Sequence, residues 1–339
     1  MSADLNGRRI ALVGGAGFIG HNLALTLKKR GAVVEVVDSL QVNNLLSFQS
    51  QTAGLQRDLA ISILNERLDL LRAAGVPVHP QDARDYHALS RILKEIKPQV
   101  IVQLAAVSHA GRSNKDPYST FDHSMRTLEN ALDYARTEAE HFVFLSSSMV
   151  YGNFESPEVT EDHPLNPIGI YGALKLGGEK LVIAYQQVFN LSYTIVRPSA
   201  LYGPRCVSRR VGQIFVEEAL AGRPLKIEGD GEERLDFTYM EDLVNGLCLA
   251  ISHPGAKNQV FNMTYGAARS IAELVEVLKR QFPDVAVQHV PRDRLMPFRG
   301  TLNVDKAHRL IGYQPSFPID IGFEKYVEWY KQRPGGVKG

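Results

Sequence analysis

The feature that most constrains this sequence is the glycine loop "VGGAGFIG", in which Gly14, Gly17 and Gly20 recur at every third position. A short aliphatic run precedes the loop, and an amphipathic helical pattern follows it. Glycines placed in this way allow a tight turn, let a pyrophosphate approach the backbone and let the helix pack closely on the sheet. The first helical residues, Phe18 and Ile19, offer unpaired N–H groups and a partial positive charge to the phosphates. The loop therefore predicts a dinucleotide site rather than a simple glycine-rich connection.

Short apolar runs alternate with amphipathic helical patterns through the first 150 residues of the chain. The pattern predicts strands at 8–15, 32–38, 76–80, 99–106 and 141–148, and helices at 18–30, 55–75, 85–96 and 117–138. This alternation indicates an α/β protein with a Rossmann-like, doubly wound parallel sheet. The later sequence is rich in arginine and loops, with helices near 211–222, 240–252 and 270–282, and predicts a smaller C-terminal α/β substrate domain. We expect a cofactor domain from 1–198 plus about 236–262, and a substrate part from about 199–235 plus 263–339.

Asp38 ends the second predicted strand, about 20 residues after the glycines, where a carboxylate can bind the ribose hydroxyls of a dinucleotide. A carboxylate would repel a 2′-phosphate, and Ser39 and Leu40 follow it rather than an arginine. The cofactor is therefore predicted to be NAD rather than NADP. Other candidates stand at the carboxyl ends of the third and fourth strands, where such a sheet binds its ligand: Asp82, Ala83, Leu104, Ala105, Ala106, Ser108 and His109. His109 either touches substrate or hydrogen-bonds within its own loop.

Three further residues predict chemistry at this site. Tyr171 and Lys175 of "YGALK" are four positions apart and share one face of a helix. A tyrosine with a pKa near ~10 is a poor base at neutral pH unless positive charge stabilises its phenolate. Lys175 and the cationic nicotinamide ring can supply that charge, and Ser147 can bridge the substrate oxygen and the tyrosine. The Tyr-x-x-x-Lys spacing alone also fits a solvated helix, but with the glycine loop and the serines it indicates a catalytic trio.

Together these motifs resemble the extended short-chain dehydrogenases/reductases, in particular the nucleotide-sugar epimerase and dehydratase branch. The resemblance runs almost from end to end, through "GGAGFIG", Asp38, "DARD", "LAA", "SSSMVYG", "YGALK", "RPSALYGPR", "GDGEERLDF" and "LNVDKAHRLIGY". It implies that Tyr171 is the base, that Lys175 tunes it and holds the nicotinamide ribose, and that Ser147 binds a sugar hydroxyl. It adds Pro198 to the cofactor residues. It adds four residues to the substrate site: Ser148, Arg205, Arg234 and Arg299.

The chain departs from the family pattern at several substrate positions. Leu235 stands where the family often has an arginine, Ala200 where many members have an asparagine, and His123 where an asparagine is usual. Three other arginines either compensate for these changes or are solvated, and the sequence does not choose between the two: Arg112, Arg209 and Arg210.

The resemblance also implies a homodimer formed by the helix near 117–138 and the Tyr171 helix. Phe121, Leu128, Leu132 and Ala135 recur at helical spacing and could form the contact face, although core packing explains them equally well. Residues 43–75 could be a lid or a dimer element.

Met149 constrains the reaction. Dehydratases and decarboxylases that resemble this chain have a glutamate at this position, and 3,5-epimerising relatives have a cysteine. A thioether neither donates nor accepts a proton at neutral pH. The site is therefore predicted to epimerise a nucleoside-diphosphate sugar, a UDP-sugar above all, at C4 through a 4-keto sugar, unless His109 or Cys206 supplies another base. The alternatives are a 4-dehydrogenase or 4-keto reductase, then a dehydratase or a non-catalytic NAD-binding module.

Composition excludes several other functions. The net charge of +1 gives no electrostatic footprint for nucleic acid, and no stretch reaches the ~20 apolar residues that a membrane span needs. The ten histidines show no metal-ligand spacing, so no metal is expected. The two cysteines, Cys206 and Cys248, cannot form a disulfide framework and suit the cytoplasm.

Overall fold

The computed structural model describes residues 5–42, 44–49, 55–107 and 110–333. Its strands are β1 Arg9–Val13, β2 Val33–Val37, β3 Val78–His79, β4 Val100–Gln103, β5 His141–Leu145, β6 Glu158–Val159, β7 Tyr193–Arg197, β8 Leu201–Tyr202, β9 Leu225–Glu228, β10 Arg234–Leu235, β11 Thr238–Tyr239, β12 Gln259–Asn262, β13 Arg269–Ser270, β14 Val287–Val290 and β15 Thr301–Leu302. Its α-helices are α1 Phe18–Lys29, α2 Leu45–Gln49, α3 Leu55–Ala73, α4 Tyr86–Ile96, α5 Ala110–Lys115, α6 Pro117–Phe121, α7 Thr127–Glu138, α8 Gly169–Phe189, α9 Val211–Leu220, α10 Met240–Ser252, α11 Ile271–Lys279, α12 Asp305–Ile311 and α13 Ile319–Lys331. Among these helices none is both long and apolar enough to cross a bilayer.

The central sheet confirms the predicted doubly wound α/β fold. Its strand order is β12-β7-β5-β4-β1-β2-β3, and every pairing in it is parallel. The order reverses between β1 and β4, so the helices that follow these two strands pack on opposite faces. A crevice opens at the carboxyl ends of the two strands, and this crevice is where a doubly wound sheet binds its ligand.

Local sequence explains how several helices begin. Asp85 accepts a hydrogen bond from the N–H of Ala88 and caps α4. Ser270 and Glu273 form a reciprocal capping box at the start of α11. The glycine loop leads into α1 without a side-chain cap, which leaves the N–H groups of the first turn directed at the crevice.

The helix predicted over 117–138 is interrupted. It consists of α6, a π-helical turn at Asp122–Arg126, and α7. Leu128, Leu132 and Ala135 are fully buried in the protomer, so of the two explanations that the sequence left open for them, core packing holds. Phe121 is the exposed member of that set.

The C-terminal pieces add four two-stranded sheets, which pair β10 with β13, β11 with β8, β14 with β9 and β15 with β6. Their apolar side chains join the core on the α1 and α10 side of the main sheet, from Leu201 on β8 to Tyr330 on α13. The described residues therefore share a continuous core across the predicted boundary near 198, and the division into a cofactor part and a substrate part stays a prediction.

Candidate active site

A cleft that is open to solvent lies at the carboxyl ends of β1 and β4. Most of the residues predicted from the sequence to bind the cofactor line it: Gly14, Gly17, Phe18, Ile19, Gly20, Asp38, Asp82, Ala83, Leu104, Ala105 and Ala106. Ser108 and His109, which were also predicted here, lie outside the described residues.

The three glycines of the loop differ in what surrounds them. Gly14 has φ +82°, and a Cβ there would stand 2.5 Å from the backbone nitrogen of Ala105. A Cβ at Gly20 would stand 2.5 Å from Gly15, so this glycine allows α1 to pack on the loop. At Gly17 the nearest atom to an added Cβ is the Gly14 carbonyl oxygen at 3.4 Å, so internal packing does not require a glycine. Space kept clear in front of helical N–H groups fits the phosphates of a dinucleotide.

Asp38 is held rigidly at the end of β2. Its carboxylate accepts hydrogen bonds from the N–H groups of Ala16 at 2.9 Å and Leu40 at 2.8 Å. Burial raises the pKa of Asp38, while these two hydrogen bonds act in the opposite direction. Each carboxylate oxygen keeps a further lone pair, so both ribose hydroxyls of NAD can donate to it.

Beside the cleft, Arg84 is the centre of a cluster of ion pairs with Asp82 and Asp122. Arg84 binds both oxygens of Asp82 and reaches Asp122 of the π-helical turn at 2.7 Å. Burial alone would raise the pKa of Asp82, but the hydrogen bonds from Arg84 lower it. His123, on the same turn, lines the cleft, and burial together with the charge of Arg84 lowers the pKa of this histidine. The sequence did not predict the π-helical turn, which brings His123 to the cofactor cleft.

The predicted catalytic trio comes together beside the end of β5. Ser147 follows that strand, and its hydroxyl oxygen accepts from the N–H of Met149 at 3.2 Å. Its side chain also acts to lower the pKa of Tyr171 on α8. Lys175, one turn along α8, donates to the carbonyl of Leu145 at 2.6 Å. Its ammonium nitrogen lies 5.9 Å from the ring centroid of Tyr171.

The charges around the trio show that Tyr171 needs additional positive charge in order to act as a base. Burial raises the pKa of Tyr171, while the charge of Arg210 and the hydrogen bond with Ser147 act to lower it. Burial lowers the pKa of Lys175 to about 8, against the opposing influence of Glu179. Lys175 therefore still carries its charge at neutral pH, and a cationic nicotinamide would lower the energy of the Tyr171 phenolate further.

A buried ion pair behind the trio fixes α8 to the sheet. Arg197 of β7 and Glu179 of α8 are bonded at 2.7 and 2.9 Å, and their side chains are 3% and 2% exposed. Ser146 donates to the same carboxylate, and the remaining guanidinium nitrogen of Arg197, Nη1, donates to Tyr151 at 2.9 Å. The sequence analysis missed this network, because a glutamate and an arginine on regular elements look like solvated surface residues.

The two other residues predicted at this point of the sheet lie at the junction of β5 and β7. Ser148 is buried, and its N–H donates to the carbonyl of Pro198 at 2.9 Å. Met149 is also buried, and its carbonyl packs so closely on α8 that a Cβ at Gly172 would stand 2.7 Å from it. The backbone of Met149 is therefore held between Ser147 and α8, the helix that carries Tyr171 and Lys175.

Arg205 and Arg234, two of the predicted substrate arginines, are bonded within the protein. The Nε of Arg205 donates to His21 of α1 at 3.0 Å, and its other nitrogens donate to Glu66 and Asn22. Arg234 is half-exposed and donates to the carbonyl of Ala268. The assignment of both arginines to the substrate site stays a prediction.

Arg299 does lie in a basic cluster, beside Arg292. Both arginines face the carboxylate of Glu233, at 3.1 Å from Arg299 and 3.9 Å from Arg292. Burial lowers the pKa of Arg299, and the charges of Arg292 and Arg210 lower it further, against Glu233. Arg210 also lines the cofactor cleft and acts on Tyr171, so it connects the basic cluster to the trio.

The remaining candidates lie elsewhere. Arg209 pairs with Glu217 at 2.8 Å, and Arg112 is exposed. Cys206 and Cys248 are both buried and unpaired. Among the described residues, no group of three or more histidine, cysteine, aspartate and glutamate side chains could hold a metal ion.

A sequence profile of the NAD-dependent epimerase/dehydratase family matches residues 10–264. The chain belongs to this family. NAD is accordingly its cofactor, and the glycine loop and Asp38 fit it. UDP-glucuronate 4-epimerase 4 of Arabidopsis thaliana is 27% identical over 98% of this chain and 77% of the relative.

Two solved structures illustrate the range of the family. The UDP-glucuronic acid 4-epimerase from Bacillus cereus, in complex with UDP-glucuronic acid and NAD, is similar with a TM-score of 0.84 and 24% identity, over 95% of this chain and 99% of that one. The dTDP-glucose 4,6-dehydratase DesIV from Streptomyces venezuelae, as a double mutant, is similar with a TM-score of 0.83 and 26% identity, over 96% of this chain and 98% of that one. Epimerase and dehydratase folds thus match this chain about equally well, and the residues of the site must distinguish the reactions.

Proposed function

We propose that this protein is an NAD-dependent 4-epimerase of a nucleoside-diphosphate sugar, with a UDP-sugar as its substrate. The observation that carries the proposal is the combination of the Ser147, Tyr171 and Lys175 trio with a buried methionine beside it. The trio can oxidise and reduce a sugar at C4, whereas Met149 offers no group for a second proton transfer.

The proton at C4 is handled by the trio. Ser147 holds the C4 hydroxyl against Tyr171, which removes its proton as the carbonyl forms. Lys175 and Arg210 stabilise the phenolate, since both cations lie close to the tyrosine. NAD supplies a hydride acceptor at the first stage and a donor at the second. When the carbonyl is reduced, Tyr171 returns the proton to the C4 oxygen.

Inversion at C4 requires the sugar to turn while the nucleotide stays anchored. The basic cluster of Arg299, Arg292 and Arg210 around the single carboxylate of Glu233 supports an anchor for the diphosphate. The Nε atoms of Arg292 and Arg299 are buried and have no hydrogen-bond partner among the residues that the structure describes. Guanidinium groups with donors to spare and a net positive surrounding suit a diphosphate.

A homodimer is the assembly that we propose. Helices α6 and α8 expose large apolar side chains, with Tyr118, Val188 and Phe121 at 84%, 71% and 52% exposure. A second copy that covered this face would remove apolar area from water. Sedimentation of the wild type as a monomer at micromolar concentration would rule this out.

Two buried, unpaired cysteines suit a cytoplasmic location, which we propose on that ground.

The proposal is tested by product analysis. The protein is incubated with UDP-glucose and UDP-glucuronic acid in turn, and the nucleotide sugars are separated and identified by NMR. We expect one of them to be converted to its 4-epimer with no net reduction of added NAD. A 4-keto sugar formed in equal amount to reduced cofactor would indicate a dehydrogenase instead, and conversion of neither sugar would leave the UDP-sugar assignment without support.

A further inference from the structure

Helix α3 has no role in the mechanism above, yet it carries a buried arginine into the cofactor cleft. Arg67 is 1% exposed and lines the cleft together with Gly17, Phe18 and Asp38. Its Nε donates to the carbonyl of Arg205 at 3.0 Å, and its Nη2 donates to the same oxygen. These two bonds fix the plane of the guanidinium.

The third nitrogen of this guanidinium has no hydrogen-bond partner among the described residues. Nη1 of Arg67 is buried and makes no hydrogen bond within the described part of the chain. An unpaired buried donor on a charged group is costly, and proteins retain one mainly where a ligand completes it.

The charge of Arg67 is only partly compensated by its surroundings. Within the described ranges it forms no ion pair, and its charged neighbours include the guanidinium of Arg205 as well as the carboxylate of Asp38. Burial and Arg205 lower the pKa of Arg67, while Asp38 acts in the opposite direction. An anion bound in the cleft would add the negative charge that a buried guanidinium favours.

The position of Arg67 indicates which part of the cofactor supplies that charge. Arg67 lines the cleft with Gly17 and Phe18, and Arg205, whose carbonyl it binds, contacts His21 at 3.0 Å, so both arginines lie beside the first turn of α1. His21 itself hydrogen-bonds to the carbonyl of Gly17 in the glycine loop. The diphosphate of a dinucleotide lies at this helix N-terminus, where the backbone offers only partial charges.

We propose that Arg67 binds the diphosphate of NAD through its free Nη1 donor. Helix α3 then completes the cofactor site: the glycine loop supplies neutral N–H donors from one side and α3 supplies a full positive charge from the other. Helix α3, part of the stretch for which the sequence suggested a lid or a dimer element, is in this view a cofactor-binding element.

The test compares ligands that differ in the diphosphate. Dissociation constants of full-length wild type and Arg67→Met are measured by calorimetry for NAD and ADP, and adenosine is measured at millimolar concentration by thermal shift. Arg72→Met is the matched control, because Arg72 lies on the same helix, is 78% exposed and pairs only locally with Asp69. We expect Arg67→Met to weaken NAD and ADP by about 10- to 100-fold, as for the loss of a charge-assisted hydrogen bond, and adenosine by less than about twofold. The control should match the wild type.

Three results would overturn the proposal. Equal weakening of ADP and adenosine would make Arg67 a structural or ribose contact, and unchanged affinity for every ligand would remove it from the site. Arg67→Gln, which keeps an N–H donor for the carbonyl of Arg205, serves if the methionine variant does not fold. If neither variant folds, the role of Arg67 is structural.

Discussion

The buried pair of Arg197 and Glu179 should support both the stability of the protein and the charge of Lys175. Glu179→Gln removes the negative charge but keeps an amide of similar size, so Arg197 is left as an uncompensated buried cation. Breaking a buried pair in this way costs about 3–5 kcal/mol of unfolding free energy. The hydrogen bonds at 2.7 and 2.9 Å and the nearly complete burial of both side chains place this pair in that class.

The assay is urea unfolding followed by circular dichroism, with Glu129→Gln as the control. Glu129 pairs with Arg126 on an exposed helical surface, where both side chains are more than half exposed. Such a pair is worth at most about 1 kcal/mol. Combining Glu179→Gln with Arg197→Met should cost clearly less than the two single changes added together, since the double variant leaves no unpaired charge. A loss in Glu179→Gln no larger than in the control would refute the reasoning.

The same substitution should change the pH dependence of activity. Burial lowers the pKa of Lys175, and Glu179 acts in the opposite direction, so that the pKa is about 8. Without the carboxylate the pKa of Lys175 falls further, and the lysine loses its charge at a lower pH. The alkaline fall of kcat/KM should therefore move to lower pH in Glu179→Gln, and an unchanged profile would separate Lys175 from the tuning of Tyr171.

Three further substitutions test the trio and the cofactor site. Tyr171→Phe should keep the fold and NAD binding but lose about 100-fold or more in turnover, the scale of a general base, and retained turnover would remove Tyr171 from the mechanism. Gly17→Ala should have the same urea midpoint as the wild type but bind NAD weakly. Gly14→Ala should be destabilised, because Gly14 has a φ of +82° and an added Cβ would meet Ala105. Equal stability of the two variants would contradict the packing argument. Asp38→Ala should weaken NAD and relax the exclusion of NADP in calorimetric titrations, and wild-type protein that binds both equally would contradict the role of Asp38.

The parts of this structure that are encoded locally could be predicted from the sequence. The glycine loop, the alternation of strand and helix and the carboxylate at the end of β2 each depend on residues near one another in the chain, and the structure has them where the patterns placed them. Tyr171 and Lys175 also share a helix, so their spacing alone was sufficient to place them side by side.

What depends on contacts across the chain could not be predicted. The network from Ser146 through Glu179 to Arg197 joins three elements, and nothing in the local sequence marks these residues as buried. The π-helical turn at 122–126 adds one residue to a helical turn, which a 3.6-residue pattern does not reveal. Arg205 was assigned to the substrate site from the family motif. Its hydrogen bonds to residues of α1 and α3 could not be predicted, because only the tertiary fold brings these residues near it.

The most direct test of the central claim follows hydrogen exchange at the sugar. The substrate identified by product analysis is incubated with the protein in deuterated water, and the recovered nucleotide sugars are examined by NMR and mass spectrometry. If Met149 leaves the site without a second acid or base, the 4-epimer should form with no deuterium at C3 or C5 and with the C6 oxygen retained. Deuterium at C5, or a 4-keto-6-deoxy sugar among the products, would show that another group transfers protons at this site and would contradict the assignment as a C4 epimerase.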